Sequence, residues 1–149
     1  MGAYRHILAA VDLDANGERV LARAKSLADA YAARLSVVHV VEYVTLDTGE
    51  ALIATPVDLT REMVAGATTQ LAALCEKTGV PPASAQVLTG PVALEILNTA
   101  KALGVDLIAV GHAPRKGFLA ALFSHTEENV VSKAPCDVLA LKLPEAAKP

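Results

Sequence analysis

Asp12 and the polar stretch Gly111-His112-Ala113-Pro114-Arg115-Lys116-Gly117 are the residues of this chain best suited by type and place to hold a ligand. Asp12 directly follows the apolar run Ile7-Leu8-Ala9-Ala10-Val11, and Gly111 follows Leu107-Ile108-Ala109-Val110. Runs of this length read as buried strands. In a parallel α/β sheet the carboxyl ends of all strands share one edge. Ligands bind there, where two neighbouring strands send their helices to opposite faces. If these runs are adjacent central strands, Asp12 and the 111–125 loop line one crevice. Arg115 and Lys116 would draw an anion to it, helped by the partial positive charge of a following helix start. The bland reading of those two residues is an exposed, solvated turn.

The elements that must position this crevice alternate as strand and helix, the pattern of βαβ units. Val20, Leu21, Ala24, Leu27, Ala28 and Tyr31 recur at helical spacing, and Leu35 to Val41 (LSVVHVV) is a β-rich run. Glu42 to Asp58 has no clear period and contains Asp47, Gly49 and Pro56, so it reads as a long loop. A second helix from Leu59 carries Met63, Val64, Ala67, Leu71, Leu74 and Cys75 on one face, and Gly79 is its stop. Ala85 to Leu88 is a third strand. Gly90-Pro91 opens a third helix, whose buried stripe is expected at Leu94, Leu97 and Leu103. A last helix runs to about Ala134 and ends at Pro135. Cys136 to Leu143 is the fifth strand, and the tail from Pro144 is polar.

At 149 residues the chain is expected to form one domain spanning 1–149, burying roughly two thirds of its unfolded surface. It is 53% hydrophobic but only 3% aromatic, with no Trp, so the core must be built from Ala, Val and Leu. A net charge of −3 argues against nonspecific nucleic-acid binding, which needs clustered Lys and Arg. No apolar run approaches the roughly 20 residues that span a bilayer. The start, MGAYRHILAAVD, is a poor signal peptide, and His6 stands where a myristoylation motif wants Ser or Thr. The expectation is a cytoplasmic protein with no membrane partner.

Catalytic patterns are missing from the sequence. His6, His39, His112 and His125 show no metal-binding spacing and no HExxH. There is no G-x-S-x-G elbow, and no catalytic or metal-ligating residue is assigned. Cys75 and Cys136 belong to no CxxC and read as buried small hydrophobes.

With five strands placed, the chain resembles the universal stress protein family over nearly its whole length. The matching pieces are YRHILAAVD, LSVVHVVE, GPVALEILNTAKALGVDLIAVGH and the closing APCDVLALKL. Their order and spacing together are specific. The resemblance implies an α/β fold, a three-layer α/β/α sandwich around a five-stranded parallel sheet in the order 3-2-1-4-5. Strands one and four then form the switch point, in agreement with the crevice above.

The family has an ATP-binding branch, with a G-x2-G-x9-G-[ST] loop after strand four, and a UspA branch that lacks the loop. Here the loop reads GHAPRKGFLAALFSHTEENVV. Gly111 matches the first glycine, Pro114 replaces the second, and Ser124-His125 replaces the closing Gly-Ser or Gly-Thr. Gly117 matches a glycine often present but not part of the motif. Proline has no N–H to offer a phosphate and fixes its own φ. Ser124 adds a Cβ where close backbone approach is expected, and His125 removes a hydroxyl. The loop resembles the UspA branch, so no cofactor is expected, with ATP as the alternative.

Carried over from ATP-binding relatives, Asp12 would touch ribose or a metal ion and Val40 would line the adenine pocket. Without a phosphate cradle, Asp12 reads instead as a cap of the Asp12-Leu13-Asp14 turn, and Val40 as strand-end core. Ser124-His125-Thr126-Glu127 reads as a capping box. The resemblance also implies homodimerisation by antiparallel pairing of the last strand, about Asp137 to Leu141, an apolar edge without internal proline. The first expectation is therefore a UspA-type homodimer without enzymatic turnover, acting on unidentified protein partners. The alternative is a nucleotide-dependent switch or slow ATPase using Asp12, Val40, Gly111, Gly117 and Ser124. An electron-transfer or small-molecule enzyme on the same layers has no supporting cluster.

Overall fold

The computed structural model describes residues 3–42, 56–112 and 130–144. The strands are β1 (His6–Ala10), β2 (Arg34–Val41), β3 (Ala85–Thr89), β4 (Leu107–His112) and β5 (Asp137–Lys142). They form one parallel sheet in the order β3-β2-β1-β4-β5. The helices are α1 (Ala15–Tyr31), α2 (Pro56–Thr78) and α3 (Val92–Leu103), and residues 130–133 are also helical.

Side-chain alternation along the strands divides the core in two. Ile7, Ala9, Val37, Leu107 and Ala109 pack under Val20, Leu21, Ala24 and Ala28 of α1 and Leu71 and Cys75 of α2. Leu8, Val38, Ile108 and Val110 point to the other face, against Ile96 and Ala100 of α3 and Val130. Such strands are apolar on both sides because helices cover both faces. Fully burying a residue such as Leu8 or Ile108 contributes roughly 1.5–3 kcal/mol. The helix after β1 lies on one face and the helical residues 130–133, which follow β4, on the other. The β1/β4 seam is thus the topological switch point.

Several element boundaries differ from those expected. The second helix begins at Pro56, three residues before Leu59, and the rest of the expected loop, 43–55, lies outside the described residues. Proline suits a first helical turn because its φ is preset and no N–H is needed there. Gly111 and His112 belong to β4 rather than to a loop, paired in register with Leu141 and Lys142. On α2, Met63 is exposed rather than buried, while Ala67, Leu71 and Cys75 face the sheet as expected. On α3 the stripe has a different phase. Leu94 and Leu103 are 51% and 40% exposed, and the sheet side is Ile96, Thr99 and Ala100. Small Ala100 lets the helix approach β2 and β3, Leu97 packs half-buried against the core as expected, and Leu94 and Leu103 are turned outward. Gly79 ends α2 as expected, at φ +79°, where a Cβ would be strained.

Candidate functional site

The carboxyl edge at the β1/β4 seam gathers part of the expected site. β1 pairs β2 with Ala10 opposite Val38, and β4 with Ala9 opposite Ala109. Asp12, Val40 and Gly111 therefore come out at one edge, each half-buried. Gly117 and Ser124 lie outside the described residues, as do Pro114, Arg115, Lys116 and His125.

The turn from β1 into α1 is shaped by backbone contact. The N-cap of α1 is Asp14. The Asp14 carboxylate accepts from the N–H of Gly17 at 3.0 Å, with Asp14 in extended conformation. Gly17 sits so close to the main chain of Asp12 that a Cβ there would collide with the Asp12 carbonyl group. Asp12 is thereby held at the strand end by the first turn of α1. This glycine was not singled out from the sequence, where an Asn-Gly pair inside a helical period carries no packing signal.

Gly111 is required for a comparable reason. A Cβ on it would lie 2.6 Å from Leu143 Cδ1 and 3.1 Å from Val20 Cγ2. Leu143 is drawn in by its N–H, which donates to the His112 carbonyl at 2.7 Å. Packing between α1, β4 and the end of β5 thus accounts for a glycine here without any ligand.

His39 also enters this edge. Its Nδ1 lies 2.7 Å from the Val11 carbonyl oxygen, which can only accept, so the ring donates and fixes its tautomer. The Val11 N–H donates to the Val38 carbonyl at 3.0 Å, extending the β1/β2 ladder one residue past the strand. Val40 packs against the α3-side core, in keeping with its strand-end reading. Among the described residues no group of three His, Cys, Asp or Glu is placed to hold a metal ion.

The amino edge of the same sheet carries a second polar group. The Asp106 carboxylate accepts from the backbone N–H groups of Arg5, at 2.9 and 3.1 Å, and of His6, at 3.1 Å. Burial opposes its ionisation, but these N–H bonds outweigh it and hold the carboxyl below its usual range. Tyr4 donates to Asp137 Oδ2 at 2.9 Å and stacks edge-on against Tyr31 at 5.3 Å. His6 is 6% exposed, and its Nε2 lies 2.8 Å from Ser36 Oγ. Burial, and then the Arg34 cation, push the His6 pKa below the ordinary imidazole value.

Cys75 is fully buried and Cys136 half-buried, and burial raises both thiols above their ordinary pKa. Both are poor nucleophiles in this setting. Among the described residues no helix is long and apolar enough to cross a membrane.

Residues 3–142 match the sequence model of the universal stress protein family. Universal stress protein A homolog 1 of Coxiella burnetii is 35% identical over 95% of this chain and 99% of its own length. Among solved structures, universal stress protein UspA from Lactobacillus plantarum superposes with a TM-score of 0.77 at 23% identity, covering 95% of this chain and 99% of that one. A universal stress protein solved in complex with cAMP superposes at 0.62 with 18% identity, covering 94% and 98% of the two chains. These structural likenesses establish the shared sheet and helix layers. The family match over the described strands, with a relative of this identity along its full length, shows that the chain belongs to the universal stress protein family.

Proposed function

We propose that this chain works as a UspA-type, cytoplasmic homodimer that acts on protein partners and turns over no nucleotide at the switch-point crevice. The observation that carries the reading is the sequence after β4, where Pro114 and Ser124-His125 replace the residues of a phosphate cradle. The remaining motif position, Gly111, has its own packing requirement against Leu143 and Val20. No position of the motif is then left that calls for a phosphate. Backbone N–H groups are what such a cradle uses, and proline has none.

The homodimer reading rests on β5. It pairs with β4 on one side and is the last strand of the sheet on the other. Exposed Ala140 and half-buried Val138, Leu139 and Leu141 make an apolar edge suited to antiparallel pairing with a second copy.

A second reading keeps a nucleotide in the crevice, on Asp12, Val40, Gly111, Gly117 and Ser124. It is favoured by the arrival of Asp12, Val40 and Gly111 at one sheet edge, and by the likeness to a protein solved with cAMP. Titration calorimetry separates the two readings. The wild-type chain is compared with a variant carrying Pro114→Gly, Ser124→Gly and His125→Ser. The first reading expects ATP heat only from the triple variant. Tight, equal binding by both proteins would overturn it.

A further inference from the structure

Ser36 and His6 form a hydrogen-bonded pair at the amino edge, the end of the sheet remote from the crevice. Ser36 Oγ lies 2.8 Å from His6 Nε2. In the neutral tautomer that carries its proton on Nδ1, the His6 ring keeps a lone pair on Nε2 for the Ser36 hydroxyl proton. A hydroxyl against a base within hydrogen-bond reach is the pair that activates serine nucleophiles.

This pair opens on space. Ser36 is half-buried and lines a cleft of about 780 Å³, together with Arg34, Ser84, Gln86 and Lys25. Lys25 is engaged by Asp29 at 2.6 Å, which leaves exposed Arg34 as the cleft's cation for an incoming anion. His6 itself is 6% exposed and cannot swing away from Ser36 into solvent.

We propose that Ser36 is a covalent acyl-acceptor site, with His6 as its base, for small activated esters or thioesters that carry an anionic group. As the bond from Ser36 Oγ to the carbonyl carbon forms, the hydroxyl proton passes to His6 Nε2. The bond from that carbon to the leaving oxygen or sulfur breaks, and the leaving group departs with the electron pair. His6 then returns its proton to solvent or to the leaving group, and an ester remains on Ser36. Burial and Arg34 both disfavour a charged ring, whereas Asp106 and the Leu103 carbonyl support one. The ring is therefore a neutral acceptor that does not keep its proton.

The test incubates the full chain with mono-p-nitrophenyl glutarate, which is anionic, and with neutral p-nitrophenyl butyrate. Intact mass and peptide mapping then locate the acyl group. The expected result is one acyl group on Ser36, absent in Ser36→Ala and formed about 100-fold more slowly in His6→Gln. Arg34→Ala is expected to slow the glutarate ester more than the butyrate ester. Should His6→Gln fail to fold, the wild-type chain alone decides, because urea unfolding takes the pair apart. Faster labelling of Ser36 in the native chain than in the unfolded chain supports the proposal. No label on Ser36, or equal rates in the two states, overturns it.

Discussion

At the carboxyl edge of the sheet, position is enforced by the lack of side chains. Gly17 lets α1 lie on the Asp12 main chain, and Gly111 makes room for Leu143 and Val20. At the amino edge, position is enforced by polar side chains bonded to one another and to the main chain. Asp106 ties down Arg5 and His6, His6 meets Ser36, and Tyr4 reaches Asp137. Any ligand chemistry at the first edge depends on the residues that follow β4. At the second, most polar groups bond one another, and Ser36 and Arg34 face a cleft. A family fold can therefore lose a ligand at the first edge without loss of structure, since the glycines there serve packing.

The largest effect is expected where that packing is broken. Gly17→Val drives a branched side chain into the Asp12 carbonyl and is expected to cost about 3 kcal/mol or more, read from urea unfolding. A cost below about 1 kcal/mol would mean that α1 can move off the strand end. At the other edge, Asp106→Ala leaves the Arg5 and His6 N–H groups without their acceptor, for an expected loss of about 2 kcal/mol. Gly111→Ala is expected to lose about 1–2 kcal/mol, because the Leu143 side chain lies just past β5 and can give way in part.

Acid separates the edges further. The folded pKa of His6 is held below its ordinary 6.5, so the unfolded chain binds that proton more readily. Stability is then complete above 6.5 and falls as pH drops through that value toward the folded pKa. Unfolding followed from pH 8 to 5 should show this slope in wild type and lose it in His6→Gln. An unchanged slope would assign it to another group. Asp106 adds a second loss at lower pH, as pH falls below its ordinary 3.8 toward its depressed folded value. The smallest effect is expected on neither edge: Leu94→Ser, on the outer side of α3, should stay within about 0.5 kcal/mol.

The sheet order was legible because alternation of short apolar runs with helical periods admits few parallel topologies, and the family resemblance chose one of them. The strand ends at Asp12 and Val40 followed from the same runs. The α3 stripe was misread because leucines occupy both its inner and outer sides, and spacing alone does not say which side meets the sheet. Met63 was misread for the same reason, since an apolar residue in phase need not have a strand beneath it. Gly17, the His39 bond to Val11 and the Ser36–His6 pair were not legible. Each depends on main-chain atoms or on residues far apart in sequence that only the folded register brings together.

The central claim, a crevice that holds no nucleotide in a chain that pairs through β5, is tested most directly by mass spectrometry of the purified protein. The native spectrum gives subunit number and the denatured sample gives released ligand. The account predicts a dimer that releases no ATP or ADP and still binds none when ATP is added. A chain that carries stoichiometric nucleotide would contradict it, and would make Asp12, Val40 and Gly111 parts of a working site.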